Sequence, residues 1–175
     1  MKKSLIGAVV GMLILSGCSS TTNHETKHAA ADVTFAQQMV PHHEQALEMA
    51  KLVPTRSSNE KVRDLAERIE KAQAPEIAQM NEWLGKWGAQ KADHSGHDMT
   101  GMMSQDEMAE LGKATGAEFD RLWLDLMIKH HEGAVEMAKT QLDKGQDADA
   151  RKLAQAIIDG QQKEITEMAD LLRTI

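Results

Sequence analysis

Met39-Val40-Pro41-His42-His43-Glu44-Gln45-Ala46-Leu47-Glu48-Met49-Ala50-Lys51 recurs 88 positions later as Met127-Ile128-Lys129-His130-His131-Glu132-Gly133-Ala134-Val135-Glu136-Met137-Ala138-Lys139. The same offset carries Arg63, Leu65, Ala66, Ile69, Gln73, Glu76, Ile77, Met80 and Leu84 onto Arg151, Leu153, Ala154, Ile157, Gln161, Glu164, Ile165, Met168 and Leu172. One register held across two separate stretches marks the duplication of a whole supersecondary unit.

Within each copy the apolar positions recur at helical spacing. In the first, Asp32 is a candidate N-cap, and the helix is expected to end around Leu52 to Pro54, because the residue before a proline is pushed out of the helical region. Ser57, Ser58 or Asn59 can cap a second helix, whose Val62, Leu65, Ile69, Ile77, Met80 and Leu84 keep a helical period to about Trp87. The second copy predicts a helix from about Ala117 to Asp143, a turn through Gly145-Gln146-Asp147, and a helix from about Asp149 to the C-terminus. Short turns make the paired helices antiparallel, and two such hairpins bury their stripes best against each other. The expected fold is therefore all-α: an antiparallel four-helix bundle of two duplicated hairpins, 32–87 and 117–175, joined by a linker, 88–116. Ser104-Gln105-Asp106-Glu107 is a capping box and predicts a short helix from Gln105 to about Ala114. Pro41, whose counterpart is Lys129, predicts a kink or a late start in the first helix.

On a helical wheel, Met39, His42, His43, Ala46, Met49 and Ala50 share one face, as do Met127, His130, His131, Ala134, Met137 and Ala138. Glu48 and Glu136 point the other way. The histidines thus lie on the face expected to be buried, where unpartnered imidazoles are costly. In di-iron bundles the inward motif is Glu-x-x-His, a source of hard oxygen ligands. Here Met39 and Met127 stand in place of the glutamate. A thioether is soft, neutral and without a proton to lose; it favours Cu(I), and by the same argument Ag(I), while imidazole also accepts Cu(II). Met80 and Met168 occupy equivalent places on the second helices and can complete the shells. The competing reading makes the methionines ordinary core and the histidines buried donors to Glu or backbone.

A second cluster, His94-Ser95-Gly96-His97-Asp98-Met99-Thr100-Gly101-Met102-Met103, spaces His94, His97, Met99, Met102 and Met103 with small residues. It reads as a flexible multidentate chelator of soft metal or as a plain disordered linker.

At the N-terminus, Lys2-Lys3 precedes an apolar run from Leu5 to Leu15, too short to span a bilayer. It ends in Leu15-Ser16-Gly17-Cys18, which resembles a bacterial lipobox, so residues 1–18 are expected to be a lipoprotein signal with Cys18 lipidated. The chain's only Cys falls at that position. Residues 19–31 read as a flexible tether in which His24 and His28 are expected to be solvated. The anchor is expected to be lipid, because the chain carries a net charge of −7 and offers no basic patch.

The 175 residues, 41% hydrophobic, suffice for one ordinary domain. The negative charge disfavours nucleic acid as a partner, and the 3% aromatic content disfavours base-stacking modules. A single Cys excludes an intrachain disulfide and Cys-rich metal sites.

The segments Phe35-Ala36-Gln37-Gln38-Met39-Val40-Pro41-His42-His43-Glu44-Gln45-Ala46 and Phe119-Asp120-Arg121-Leu122-Trp123-Leu124-Asp125-Leu126-Met127-Ile128-Lys129-His130-His131-Glu132-Gly133-Ala134-Val135-Glu136-Met137 resemble the paired signatures of the DUF305 family. Gly101-Met102-Met103-Ser104 and Glu107-Met108 are similar to it as well, and the resemblance runs from about Val33 to Ile175. It implies an exported bacterial protein with a ferritin-like helical bundle, in a family some of whose members bind copper and contribute to copper resistance. It also implies His42, His43, His130, His131 and the adjacent methionines as ligands. Lys129 departs from an expected proline and Leu126 from a frequent Met, which puts the geometry and thioether count of the second site in question.

The function expected is that of a non-enzymatic, lipid-anchored protein of the cell envelope that sequesters or hands over copper, Cu(I) foremost, with no transfer partner indicated. Three alternatives are a metal-dependent oxidase, a haem-binding bundle and a metal-free structural lipoprotein. An oxidase needs an open coordination position with acid–base groups near it, and Glu44 and Glu132, at the edge of the ligand face, read rather as supporting or solvated carboxylates. Haem lacks a CxxCH attachment motif here.

Overall fold

The computed structural model describes residues 28–90 and 100–175; Cys18, His24, His94, His97 and Met99 lie outside them. The described residues form five helices and no strand: α1 (Ala30–Arg56), α2 (Glu60–Lys86), α3 (Gln105–Lys113), α4 (Gly116–Lys144) and α5 (Ala148–Leu172). Helices α1 and α2 make one hairpin and α4 and α5 the other; the hairpins meet chiefly through α1 and α4, with lighter contact between α2 and α5. The short α3 leans on α4.

The turns follow from their capping residues. Asn59 caps α2 by accepting from the Lys61 N–H (3.0 Å), and the Ser57 hydroxyl accepts from the Asn59 N–H (3.0 Å). Asp147 caps α5 by accepting from Asp149 and Ala150. Ser104 and Glu107 form the expected capping box at α3 (2.7 and 3.2 Å).

Three local expectations change. Asp32 lies in the first turn of α1, and Ala29 is the N-cap; the Asp32 carboxylate reaches back to accept the Ala29 N–H at 2.6 Å. α1 does not start late at Pro41, and it continues past Pro54 to Arg56. Pro41 is itself buried, and packing of this stretch on its neighbours outweighs the lost backbone bond. The missing N–H of Pro54 falls in the last turn, where the Ser57 N–H still closes onto the Val53 carbonyl (2.9 Å). His28, at the end of the tether, is exposed as expected, and its ring stacks on Trp87 with centroids 5.1 Å apart.

The core divides into two apolar clusters. One joins the start of α1 to the end of α4 through Phe35, Met39, Val40, Ala134 and Ala138, with Met80, Trp83 and Leu84 from α2 and Ile157 from α5. The other joins the end of α1 to the start of α4 through Met49, Val53, Phe119, Trp123 and Met127, with Leu65 and Ile69 from α2 and Met168 from α5. This pairing of early with late residues makes α1 and α4 antiparallel, and the Trp123 indole donates to the Met49 carbonyl across them (3.1 Å). On both central helices the histidine pair falls between the two clusters.

Candidate metal centre

His42 and His43 on α1 and His130 and His131 on α4 are all fully buried. Ala46 and Ala134, one turn further on, are equally buried and small enough to let the helices approach. At their crossing the His42 and His130 rings lie in contact, with centroids 3.7 Å apart and planes inclined by 39°. The outer histidines turn toward the second helix of their own hairpin. His43 Nε2 lies 2.8 Å from Glu76 Oε2, and His131 Nε2 lies 2.9 Å from Glu164 Oε2. The two pairs are images under the 88-residue repeat.

The layer is poorly satisfied by the described residues. Both ring nitrogens of His42 and of His130, and Nδ1 of His43 and of His131, have no hydrogen-bond partner there. The same holds for both amide atoms of Gln73 and the amide oxygen of its repeat counterpart, Gln161. Each buried orphan costs about 1–3 kcal/mol, so burying these groups together works against the stability of the fold. Burial first, and then the neighbouring charge of His43, push the His42 imidazole down to about 3, with the Thr100 carbonyl opposing. His130 is held well below its ordinary value by burial, followed by His42, His131 and His43. Rings in this state are neutral, the form a metal requires.

The soft donors flank this layer in two symmetric sets. Met39 and Met80 are fully buried in one cluster, and the partly exposed Met137 packs against that cluster. Met49, Met127 and Met168 are fully buried in the other. The repeat exchanges the sets: Met39 with Met127, Met80 with Met168, Met49 with Met137. Among the described residues no group of three His, Cys, Asp or Glu is placed to hold a metal.

A strap closes the layer from one side. Gln45 clamps the Met103 backbone, accepting its N–H (2.7 Å) and donating to its carbonyl (2.9 Å). Gly133, the repeat counterpart of Gln45, leaves room for the strap on α4: a Cβ there would stand 2.1 Å from the Thr100 carbonyl oxygen. Gly101 has φ +85° and would meet the Lys129 carbonyl oxygen at 2.8 Å. Lys129 pairs with Glu107 (3.0 Å) and so ties α3 to α4. Met102 is half-buried, and Met103 belongs to the core, not to a free linker: its side chain joins the same buried cluster as Leu111 of α3. A surface groove of about 510 Å³ on α1 and α2, lined by Val53, Pro54, Glu60, Arg63 and Asp64 among others, includes none of the histidines.

Sequence reading missed Glu76 and Glu164 as imidazole partners. Glu132, one of the two carboxylates it considered, is exposed, and Glu44 is half-buried. The signal was present, since the repeat preserves both Glu76 and the buried Gln73 one turn before it.

Residues 32–172 match the family described as "Domain of unknown function (DUF305)". The chain belongs to the DUF305 family. A DUF305 protein from Streptomyces coelicolor is 37% identical with a TM-score of 0.78, the match covering 82% of this chain and 93% of that one. A DUF305 fragment from Deinococcus radiodurans is 35% identical with a TM-score of 0.78, over 84% and 98% of the two chains. CopM in its Cu(II)-bound form is 30% identical with a TM-score of 0.72, over 82% and 96%, and CopM structures in Cu(I)-bound and Ag-bound forms also match. No curated protein matches the chain significantly. The DUF305 fold is thus the helical bundle described above.

Proposed function

We propose that this DUF305 protein is an exported, lipid-anchored copper binder that sequesters or hands over Cu(I), with Cu(II) and Ag(I) as alternative guests, and so contributes to copper tolerance. The observation that carries the reading is the buried layer of His42, His43, His130 and His131, with six unpartnered ring nitrogens, set between two symmetric methionine clusters. Neutral imidazole with thioether is a donor set for soft, monovalent metal and a poor one for Mg, Ca or Fe(III). Kinship with CopM, known in Cu(I)-, Cu(II)- and Ag-bound forms, supports the same metals. The bundle ligands are drawn from the four histidines with Met39, Met49, Met80, Met127, Met137 and Met168. The segment before α3 adds His94, His97, Met99 and Met102, with Met103 reaching in from the core cluster.

Copper is the cargo, and the protein acts as a binder, not a catalyst. The domain organisation follows the sequence: signal 1–18, tether 19–31, bundle 32–175. Cys18 carries the lipid, which holds the protein at the periplasmic face of a membrane, or at the outer face of the plasma membrane in a cell with no outer membrane. Among the described residues no helix is long and apolar enough to cross a membrane. A candidate secreted protein among the structural neighbours agrees with export.

The test is anaerobic titration of the full-length chain with Cu(I) against a chromophoric competitor, beside a variant with His42, His43, His130 and His131 all changed to Ala. Tight binding that weakens in the variant is expected. Equal binding by both moves the site to the linker, and no competition by the parent overturns the copper reading.

A further inference from the structure

We propose that Glu76 and Glu164 are positioning residues that fix which nitrogen of His43 and of His131 receives the metal: Nε2–H is held by the carboxylate and Nδ1 is the ligand atom. The inference rests on the copper reading and deepens it. A carboxylate is an acceptor, so the nitrogen 2.8 Å from Glu76 Oε2 and the one 2.9 Å from Glu164 Oε2 must each carry a hydrogen. A neutral ring that has given Nε2–H to this bond has its one lone pair on Nδ1. Those Nδ1 atoms are buried in rings with no exposed surface and have no partner among the described residues. The carboxylates, on α2 and α5, keep 20% and 16% of their side-chain surface exposed. Each therefore stays partly hydrated while reaching a ring that is not, which keeps down the desolvation cost of the ion.

The arrangement separates the four histidines into two kinds. His43 and His131 are each locked in orientation by a partner on the other helix of their own hairpin, and a carboxylate on Nε2–H makes the remaining nitrogen a stronger donor. Among the described residues His42 and His130 have no hydrogen-bond partner at either nitrogen; their rings lie against each other, the Thr100 carbonyl acts on His42, and no carboxylate fixes either tautomer. The outer pair are the fixed ligands and the inner pair the adjustable ones. The repeat carries the whole device, His43 with Glu76 onto His131 with Glu164, and keeps the spacing in both copies.

Long-range proton–nitrogen NMR on the full-length chain in detergent, with ¹⁵N-labelled histidine, reads the tautomer without any metal. The proposal expects protonated-type Nε2 and unprotonated-type Nδ1 signals for His43 and His131. Ag(I), which is diamagnetic and has spin-half nuclei, then serves as the probe, and a one-bond silver–nitrogen coupling is expected on Nδ1 of both residues. Coupling on Nε2, or a metal-free tautomer protonated at Nδ1, overturns the assignment while leaving metal binding intact. Absence of silver binding, measured in the same sample by calorimetry, overturns the copper reading itself, and the metal-free tautomer still reports separately on the carboxylates. In the Glu76→Gln/Glu164→Gln variant the tautomer preference relaxes and metal affinity falls about 10- to 100-fold. The helical circular dichroism stays unchanged, because both positions are partly exposed. A variant that keeps its tautomers and its affinity rules the positioning role out.

Discussion

His42 and His130, the same position in two copies of one motif, meet ring to ring with centroids 3.7 Å apart, and neither ring finds a hydrogen-bond partner among the described residues. The duplicated unit therefore buries its own symmetry axis in imidazole. A hydrophobic pair there would be the cheaper solution for stability alone. The layer is kept at a cost, and the cost can be measured.

Burial holds His42 down to about 3 and His130 well below its ordinary value, so the folded chain takes up these protons less readily than the unfolded chain does. By linkage, no penalty applies above the unfolded imidazole value of about 6.5, and stability is lost as the pH falls from there toward 3. The expected slope is about 1.4 kcal/mol per pH unit for each ring that stays neutral while its unfolded counterpart charges. Urea denaturation of the metal-free protein between pH 7 and pH 4 measures it. Replacing both rings by Leu is expected to flatten the slope, and an equally steep curve in that variant would place the acid sensitivity elsewhere.

Asp32 acts as a latch between chain segments far apart in sequence. Its carboxylate accepts the Ala29 N–H at the start of α1, the Gln141 amide from α4, and the Gln146 and Asp147 N–H groups in the turn before α5. Burial raises its proton affinity, but these bonds together outweigh burial and hold the carboxyl below its ordinary value. The linked stability is present above pH about 4 and is lost as the pH drops through the lowered folded value. Asp32→Ala leaves several buried donors without an acceptor and is expected to cost about 3 kcal/mol or more at pH 7. Asp32→Asn should cost less and should remove this acid-range component, both readable by chemical denaturation.

How far the sequence foretold this molecule depends on whether a contact is local. Helix limits for α2, α3 and α4 follow from periodicity and from Asn59 and Ser104, whose capping partners lie within three residues. Pro41 was legible as lying within the first helix, but the late start it also allowed was not borne out, because tertiary burial decides where α1 begins. The link from Asp32 to Gln146 spans more than a hundred residues and depends on how one hairpin docks on the other. Glu76 and Glu164 lie between these cases. The offset flagged both residues, but only the packing of α2 on α1 and of α5 on α4 turns them toward the imidazoles. Met103 looked like part of a loose chelator because its neighbours are Gly, Ser and Thr, whereas Gln45 fastens its backbone and the core takes its side chain.

Gly133 is expected to control the strap. A methyl group there would stand 2.1 Å from the Thr100 carbonyl oxygen and 2.8 Å from Gly101 Cα, and both obstacles are backbone. Alanine raises the intrinsic helix propensity of α4 by about 1 kcal/mol, yet overpacking against a fixed strand of chain costs about 1–3 kcal/mol. Gly133→Ala should therefore leave global stability little changed or lowered while displacing residues 100–103. Hydrogen exchange should rise at Met103, whose N–H is held by Gln45, and Gln45→Ala should produce the same local change without touching α4.

The methionines permit a separation of packing from ligation. Met49, Met127 and Met168 are fully buried in one cluster, and Met39 and Met80 in the other. Leucine nearly conserves their volume, and such a swap costs less than about 1.5 kcal/mol per site. The thioether is lost without a cavity being made. If these side chains are core alone, Met127→Leu/Met168→Leu should leave both Cu(I) affinity and thermal stability close to the parent. The ligand reading instead expects a small loss of stability with Cu(I) affinity lower by tenfold or more, and the same result from Met39→Leu/Met80→Leu in the mirrored set. Cu(II), which imidazole holds without help from sulfur, should lose much less. The ratio of the two losses, measured by competition titration in each oxidation state, therefore reports on sulfur ligation in a way that a change in fold stability cannot imitate.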